Sequence, residues 1–277
     1  MANERNRQLR DLAQRVADAL PREVAEEVVL TGSVSRGVAD EVSDIEMLIV
    51  TPEQLDLAAC FDYVRAAGLE GLDTWGDQSS PTRRVSGYLE GVPLELVWWS
   101  RELAESSIEA FFNSSDSSSG ADAIVNGVAL RTSGALSRWQ ARLSVYPDEL
   151  ARARIEDAAL TWGGFAPAGL LTIARPGERL SRTERMLDDA SRVVRIVFAL
   201  NRVWQPTSKR LAERLASLAV KPAHLAERIE EAFSEPDPRR ALLLMTELQL
   251  ETVELAPDGP NVNRARKWLA EGAKLLS

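Results

Sequence analysis

The chain has one cysteine, Cys60, and one histidine, His224, in 277 residues. A single cysteine excludes an intrachain disulfide framework and fits a reducing compartment. Too few nitrogen and sulfur ligands remain for a structural zinc site, so any metal is expected to be a hard cation held by carboxylates. Long apolar runs are missing too: none approaches the roughly 20 residues of a membrane-spanning helix. The opening "MANERNRQLRDLAQRVADAL" is broken by charges where a signal peptide needs an unbroken apolar segment. No membrane partner is expected, and the expected location is the cytoplasm. The third absence is an excess of positive charge. Against 33 Lys and Arg stand 42 Asp and Glu, a net −9, which argues against a protein that coats nucleic acid and leaves RNA only a local basic groove.

What is present fits one large globular domain or two ordinary ones. Leu9, Leu12, Val16 and Leu20 recur at helical spacing, so residues 4–20 read as an amphipathic helix stopped by Pro21. "EVVLTGS" reads as a strand ending in a turn, "DIEMLIV" as a second strand, and "PEQLDLAACFDYVRAAG" as the next helix. "RRVSGYLEGVPLELVWW" reads as a hairpin turning at Glu90-Gly91. "NSSDSSSGAD", residues 113–122, reads as a flexible surface loop. From Leu136 onward the periodicity is helical, with a break near Pro147. The expected architecture is an α+β domain over residues 1–135, a mixed β-sheet flanked by helices, followed by an all-helical domain over residues 136–277.

The chemistry concentrates in "LTGSVSRGVADEVSDIEMLIV", residues 30–50. Side chains alternate faces along a strand, so Asp44 and Glu46 point the same way while Ile45 and Met47 point into the core. Glu95 places another carboxylate inside the apolar run "PLELVWW". Acids so placed are costly unless paired or coordinated. A salt bridge from Glu95 to Arg83 or Arg84 is the competing reading. Three carboxylates from neighbouring strands suit one or two Mg²⁺ ions. Gly32 lets the backbone approach a ligand, the Ser33 hydroxyl can donate to a phosphate oxygen, and Arg36 can neutralise one.

Strand, Gly-Ser, a ten-residue spacer and then acid-apolar-acid resemble the signature of the polymerase-β-type nucleotidyltransferase superfamily. "GSVSRG…SDIEMLIV" is most similar to its aminoglycoside- and lincosamide-modifying, kanamycin-type branch, in which a third acid sits on a later strand, here Glu95. The resemblance covers residues 28–50, with a weaker echo at 85–99. It implies a nucleotidyltransferase domain and a helical acceptor-binding domain, with the acceptor in the cleft between them. It also implies transfer of an NMP from an Mg-NTP to an acceptor hydroxyl, with release of pyrophosphate. Asp44, Glu46 and Glu95 would hold two Mg²⁺ ions; Gly32, Ser33, Arg36 and Lys209 would bind the triphosphate. Glu156, in "RIEDAAL", would be the base that deprotonates the acceptor, its competing reading being a solvated helix face. The implied acceptor is a small hydroxylated antibiotic, with a tRNA-modifying or protein-modifying toxin and an inactive nucleotide-binding module as the alternatives. The oligomeric state stays open. Trp98, Trp99, Trp162 and Trp204 read as packing residues, and Cys60 as a buried helix residue.

Overall fold

The computed structural model describes residues 4–77, 79–113, 119–164 and 167–277. They gather into two compact units, residues 1–112 with 120–145, and residues 113–119 with 146–277. Among the described residues no helix is long and apolar enough to cross a membrane.

The first unit opens with α1 (Glu4–Ala19), which buries Leu9, Leu12, Ala13 and Val16 and is followed by Pro21. The all-buried β1 (Glu27–Thr31) leads into a single helical turn, α2 (Gly32–Ser35), and then β2 (Ile45–Thr51). Helix α3 (Leu57–Ala66) begins at Asp56, whose side chain accepts the Ala59 N–H at 2.8 Å. Strands β3 (Glu70–Thr74), β4 (Arg83–Leu89) and β5 (Val92–Ser100) follow. The β4–β5 hairpin turns where expected: Glu90 and Gly91 both have positive φ, 53° and 78°, as a two-residue hairpin turn of this kind demands.

Helix α4 (Arg101–Asn113), α5 (Ser119–Val125), β6 (Val128–Arg131) and α6 (Ala135–Leu143) complete the elements of the unit. Of the segment expected to be a flexible loop, residues 114–118 lie outside the described residues. Residues 119–122 are no loop: they open α5, where small side chains and the buried Asp122 sit against the fold.

The six strands form one mixed sheet in the order β3-β4-β5-β2-β1-β6, with β2 and β5 parallel and the other neighbours antiparallel. Ile45, Met47, Ile49, Leu94, Leu96 and Trp98 project from one face and form a core with α1 and α3. Glu46 and Glu95 project from the other face. The β2–β5 pairing sets them side by side, Glu46 opposite Glu95.

The second unit is helical: α7 (Asp148–Gly164), α8 (Ala168–Ile173), α9 (Arg179–Leu200), α10 (Leu211–Ala216), α11 (Leu225–Ser234), α12 (Pro238–Glu254) and α13 (Pro260–Leu276). Its core joins Ile155, Trp162, Val193, Val197, Leu248, Val262 and Leu269.

Candidate active site

Two parallel strands carry the acids. Asp44 stands immediately before β2, Glu46 is its second residue, and Glu95 lies across from Glu46 on β5. The carboxylates of Asp44, Glu46 and Glu95 each offer an oxygen, and these oxygens lie within 4.8 Å of one another. Asp44 and Glu46 are half-buried and Glu95 is exposed. The register pairs Glu95 with Ser86, whereas Arg83 faces Trp98 and Arg84 faces Val97. Among the described residues, neither Asp44 nor Glu95 has an ion pair or a side-chain hydrogen bond. Such clustered charge is unfavourable alone and favourable around a hard cation, and an all-oxygen donor set is what Mg²⁺ takes. On donor chemistry and mutual reach, these residues fit the ion.

The Gly-Ser turn is built against this cluster. Gly32 has φ +70°, and a Cβ placed on it would stand 2.2 Å from Glu46 Oε2. The glycine is therefore required twice, by its backbone and by the carboxylate lying over it. Beyond it, Ser35 Oγ donates to Gly32 O at 3.0 Å, Gly37 N–H to Val34 O at 3.2 Å, and Val38 N–H to Ser33 O at 3.1 Å. The spacer closes on itself before Asp44: Asp40 N–H donates to Ser43 Oγ at 2.9 Å, and that hydroxyl donates to Asp40 Oδ1 at 2.8 Å. The ten-residue spacer is thus a helical turn, a reversal at Gly37 with φ +77°, and a side-chain-locked turn that delivers Asp44.

Ser33 is half-buried on α2, next to Gly32. Arg36, read as a phosphate ligand, has a protein group within reach: its guanidinium lies 4.0 Å from the carboxylate of Asp122, which is itself buried. Asp122 Oδ1 also accepts from Asn126 Nδ2 at 2.9 Å. Sequence reading missed Asp122 because it lies in the serine-rich stretch, and Asn6, which reaches the same turn from α1. The signal for Asn6 was a polar residue on the apolar stripe of an otherwise regular amphipathic helix.

Two candidates belong to the second unit. Glu156, read as the general base, accepts two backbone N–H groups of its own unit. Its Oε2 accepts the Asn261 N–H at 2.9 Å and its Oε1 the Val262 N–H at 3.4 Å, so it caps α13. Lys209 is exposed in the turn between α9 and α10. Asn201, at the end of α9, ties that end to the segment after α10, with Oδ1 accepting from Ala219 N and Val220 N and Nδ2 donating to Val197 O and Val220 O. Trp98, Trp162 and Trp204 are buried, and Trp99 Nε1 donates to Thr82 Oγ1 at 3.2 Å. Cys60 is buried, and burial pushes its thiol up to about 12.

A family model described as a domain of unknown function, DUF4037, matches residues 120–211. That stretch runs from α5 to the first residue of α10 and contains none of the three clustered acids. A search of curated proteins found no match. Among solved structures, the chain is similar to a nucleotidyltransferase-like protein from Exiguobacterium sibiricum 255-15. The identity is 13% and the TM-score 0.32, over 98% of this chain and 74% of that one. Neither description names an antibiotic or an acceptor.

Proposed function

We propose that this protein is a nucleotidyltransferase that moves a nucleoside monophosphate from an NTP to an acceptor hydroxyl. The observation that carries the reading is the mutual reach of Asp44, Glu46 and Glu95, within 4.8 Å, beside a glycine turn shaped to admit one of them. In the reaction the acceptor oxygen forms a bond to the α-phosphorus and gives up its proton to solvent. The bond from that phosphorus to the bridging oxygen breaks, and pyrophosphate leaves with the electron pair. Asp44, Glu46 and Glu95 would hold Mg²⁺, which when bound neutralises triphosphate charge and makes the acceptor hydroxyl more acidic.

The chain's own residues supply the rest. Gly32 keeps the backbone low beside the acids, and the Ser33 hydroxyl and N–H are donors for a phosphate oxygen. The pairing of Arg36 with Asp122 makes it a brace of the turn first and a phosphate ligand only if it leaves that pair. The exposed Glu95 is the acid best placed to meet the acceptor. Catalysis of this kind rests on positioning and on charge complementarity more than on covalent chemistry. A small cationic acceptor of the aminoglycoside type is favoured by the net charge of −9, through electrostatic steering.

The test is transfer of label from α-labelled NTPs, with Mg²⁺, to an aminoglycoside panel, to total tRNA and to protein. Transfer by the wild-type chain, lost by at least about a thousandfold in Asp44→Asn with an unchanged circular dichroism spectrum, supports the reading. Absence of transfer to any acceptor, together with absence of nucleotide binding in calorimetry, sinks it. Nucleotide binding without transfer points to an inactive binding module.

A further inference from the structure

Asn6 is 3% exposed, yet it occupies the apolar stripe of α1 that runs on through Leu9, Ala13 and Val16. A buried amide is costly unless its hydrogen bonds are made. Two of them go to the same turn. Nδ2 donates to Val34 O at 3.2 Å, and Oδ1 accepts the Ala39 N–H at 3.2 Å. Val34 lies in the helical turn that begins at Gly32, and Ala39 lies just past the reversal at Gly37. One side chain therefore ties both limbs of the turn to α1 and to the core beneath it, where Val34 and Ala39 are themselves buried.

The near end of the turn is fixed differently, by the fit of Glu46 over Gly32. Between these two anchors lie Ser33 and Arg36. Their backbone geometry is set by residues that no ligand need touch, since Asn6 is covered by the turn it holds.

We propose that Asn6 is a positioning residue for the triphosphate-binding turn, an inference that rests on the nucleotidyltransferase reading of the site. It acts through the Val34 carbonyl and the Ala39 amide, holding Ser33 and its N–H at the height the phosphates require. Glu46 and Glu95 are seated by β2 and β5, and Asp44 directly precedes β2 and is delivered by the Asp40–Ser43 turn, so their cation affinity is expected to change little when Asn6 is replaced.

The experiment compares wild type with Asn6→Ala and with Asn6→Leu, which fills the volume on an apolar stripe, the fold of each being checked by circular dichroism. ATP, GTP, CTP and UTP are titrated with Mg²⁺ in calorimetry, Mn²⁺ alone is titrated as a probe of the acids, and amide hydrogen exchange is followed over residues 33–39. Expected for both variants is nucleotide affinity about tenfold weaker with Mn²⁺ affinity within about twofold of wild type, as for loss of an ordering hydrogen-bond pair. Exchange over residues 33–39 should be faster. Unchanged nucleotide affinity in a variant whose turn exchanges faster overturns the inference and leaves the functional reading standing. Equal loss of Mn²⁺ and nucleotide affinity also overturns it, since Asn6 would then support the fold as a whole. A wild-type chain that binds Mn²⁺ but no nucleotide overturns both.

Discussion

Gly32 has no Cβ, and the place where one would stand is held by the carboxylate of Glu46. A methyl group there must displace Oε2, because the Cβ would lie 2.2 Å from it, and the φ of +70° adds strain of about 1 kcal/mol for an L side chain. Two effects of different kind are thus predicted for Gly32→Ala. Stability should fall by about 1–2 kcal/mol, read from urea denaturation. Mn²⁺ affinity should fall by at least about tenfold, because one ligand of the set is pushed out of reach of the other two. A variant that loses stability but binds Mn²⁺ as tightly as wild type would show that Glu46 can relax and that the close fit is packing alone. At this scale the sequence was readable where a residue type is demanded locally. Gly32, Asp44, Glu46 and Glu95 announce themselves by chemistry out of place in apolar surroundings. The contacts of Arg36 and Glu156 are not legible locally, because their partners, Asp122 and the Asn261 and Val262 amides, lie 86 and 105 or 106 positions away in the chain.

Helix α13 shows the same problem for an element. Its N-terminus is Gly259-Pro260, and neither residue has a side chain that can cap. Proline lacks the N–H that would need a partner at the first position, and Asn261 and Val262 expose the next two donors. Glu156, from the middle of α7, takes both. Gly259 leaves room for it, since a Cβ there would stand 1.9 Å from Glu156 Oε1. A carboxylate at a helix N-terminus gains from both hydrogen bonding and the helix dipole. Glu156→Ala should therefore cost about 1–2 kcal/mol of stability and leave nucleotidyl transfer within about twofold of wild type at a temperature where the variant is folded. A general base would behave in the opposite way, with unchanged stability and transfer lower by at least about a hundredfold, so the pair of measurements separates the two roles. Element identity was readable wherever the period was strong: α1, the β4–β5 hairpin, and the break between α6 and α7 at Pro147. Other pieces were not, among them α4. Strand β3 has the mostly exposed sequence EGLDT, β6 is the four-residue VALR, and α5 begins among serines. β3 owes its state to its ladder with β4, β6 to pairing with the distant β1, and α5 to packing of residues such as Asp122 near Arg36, none of which local propensity encodes.

For the whole molecule, the consequence lies in how the acids are brought together. Asp44 and Glu46 are local neighbours, but Glu95 reaches them only through the parallel pairing of β2 with β5, a contact that exists once the sheet is formed. The unfolded chain holds no such set, so a divalent cation binds the native state and stabilises it by mass action, by about 2.7 kcal/mol at a hundred times its dissociation constant. That stabilisation belongs to the first unit, where β2 and β5 are central strands of the sheet. Amide exchange in β2 and β5 should therefore slow by about a hundredfold with saturating Mn²⁺, provided these amides exchange by opening of the sheet. Chelation by EDTA should reverse the effect, and Asp44→Asn should lack it. Without the ion, the same three carboxylates repel one another, so the variant is expected to be at least as stable as the metal-free wild type. The two results together are what an ion site predicts, since carboxylates that stabilise the fold through protein contacts would leave the variant weaker under both conditions. A wild-type protein whose β2 and β5 amides exchange by opening of the sheet and are still indifferent to Mn²⁺ would mean that the cluster does not hold a cation, and the nucleotidyltransferase reading would fall with it.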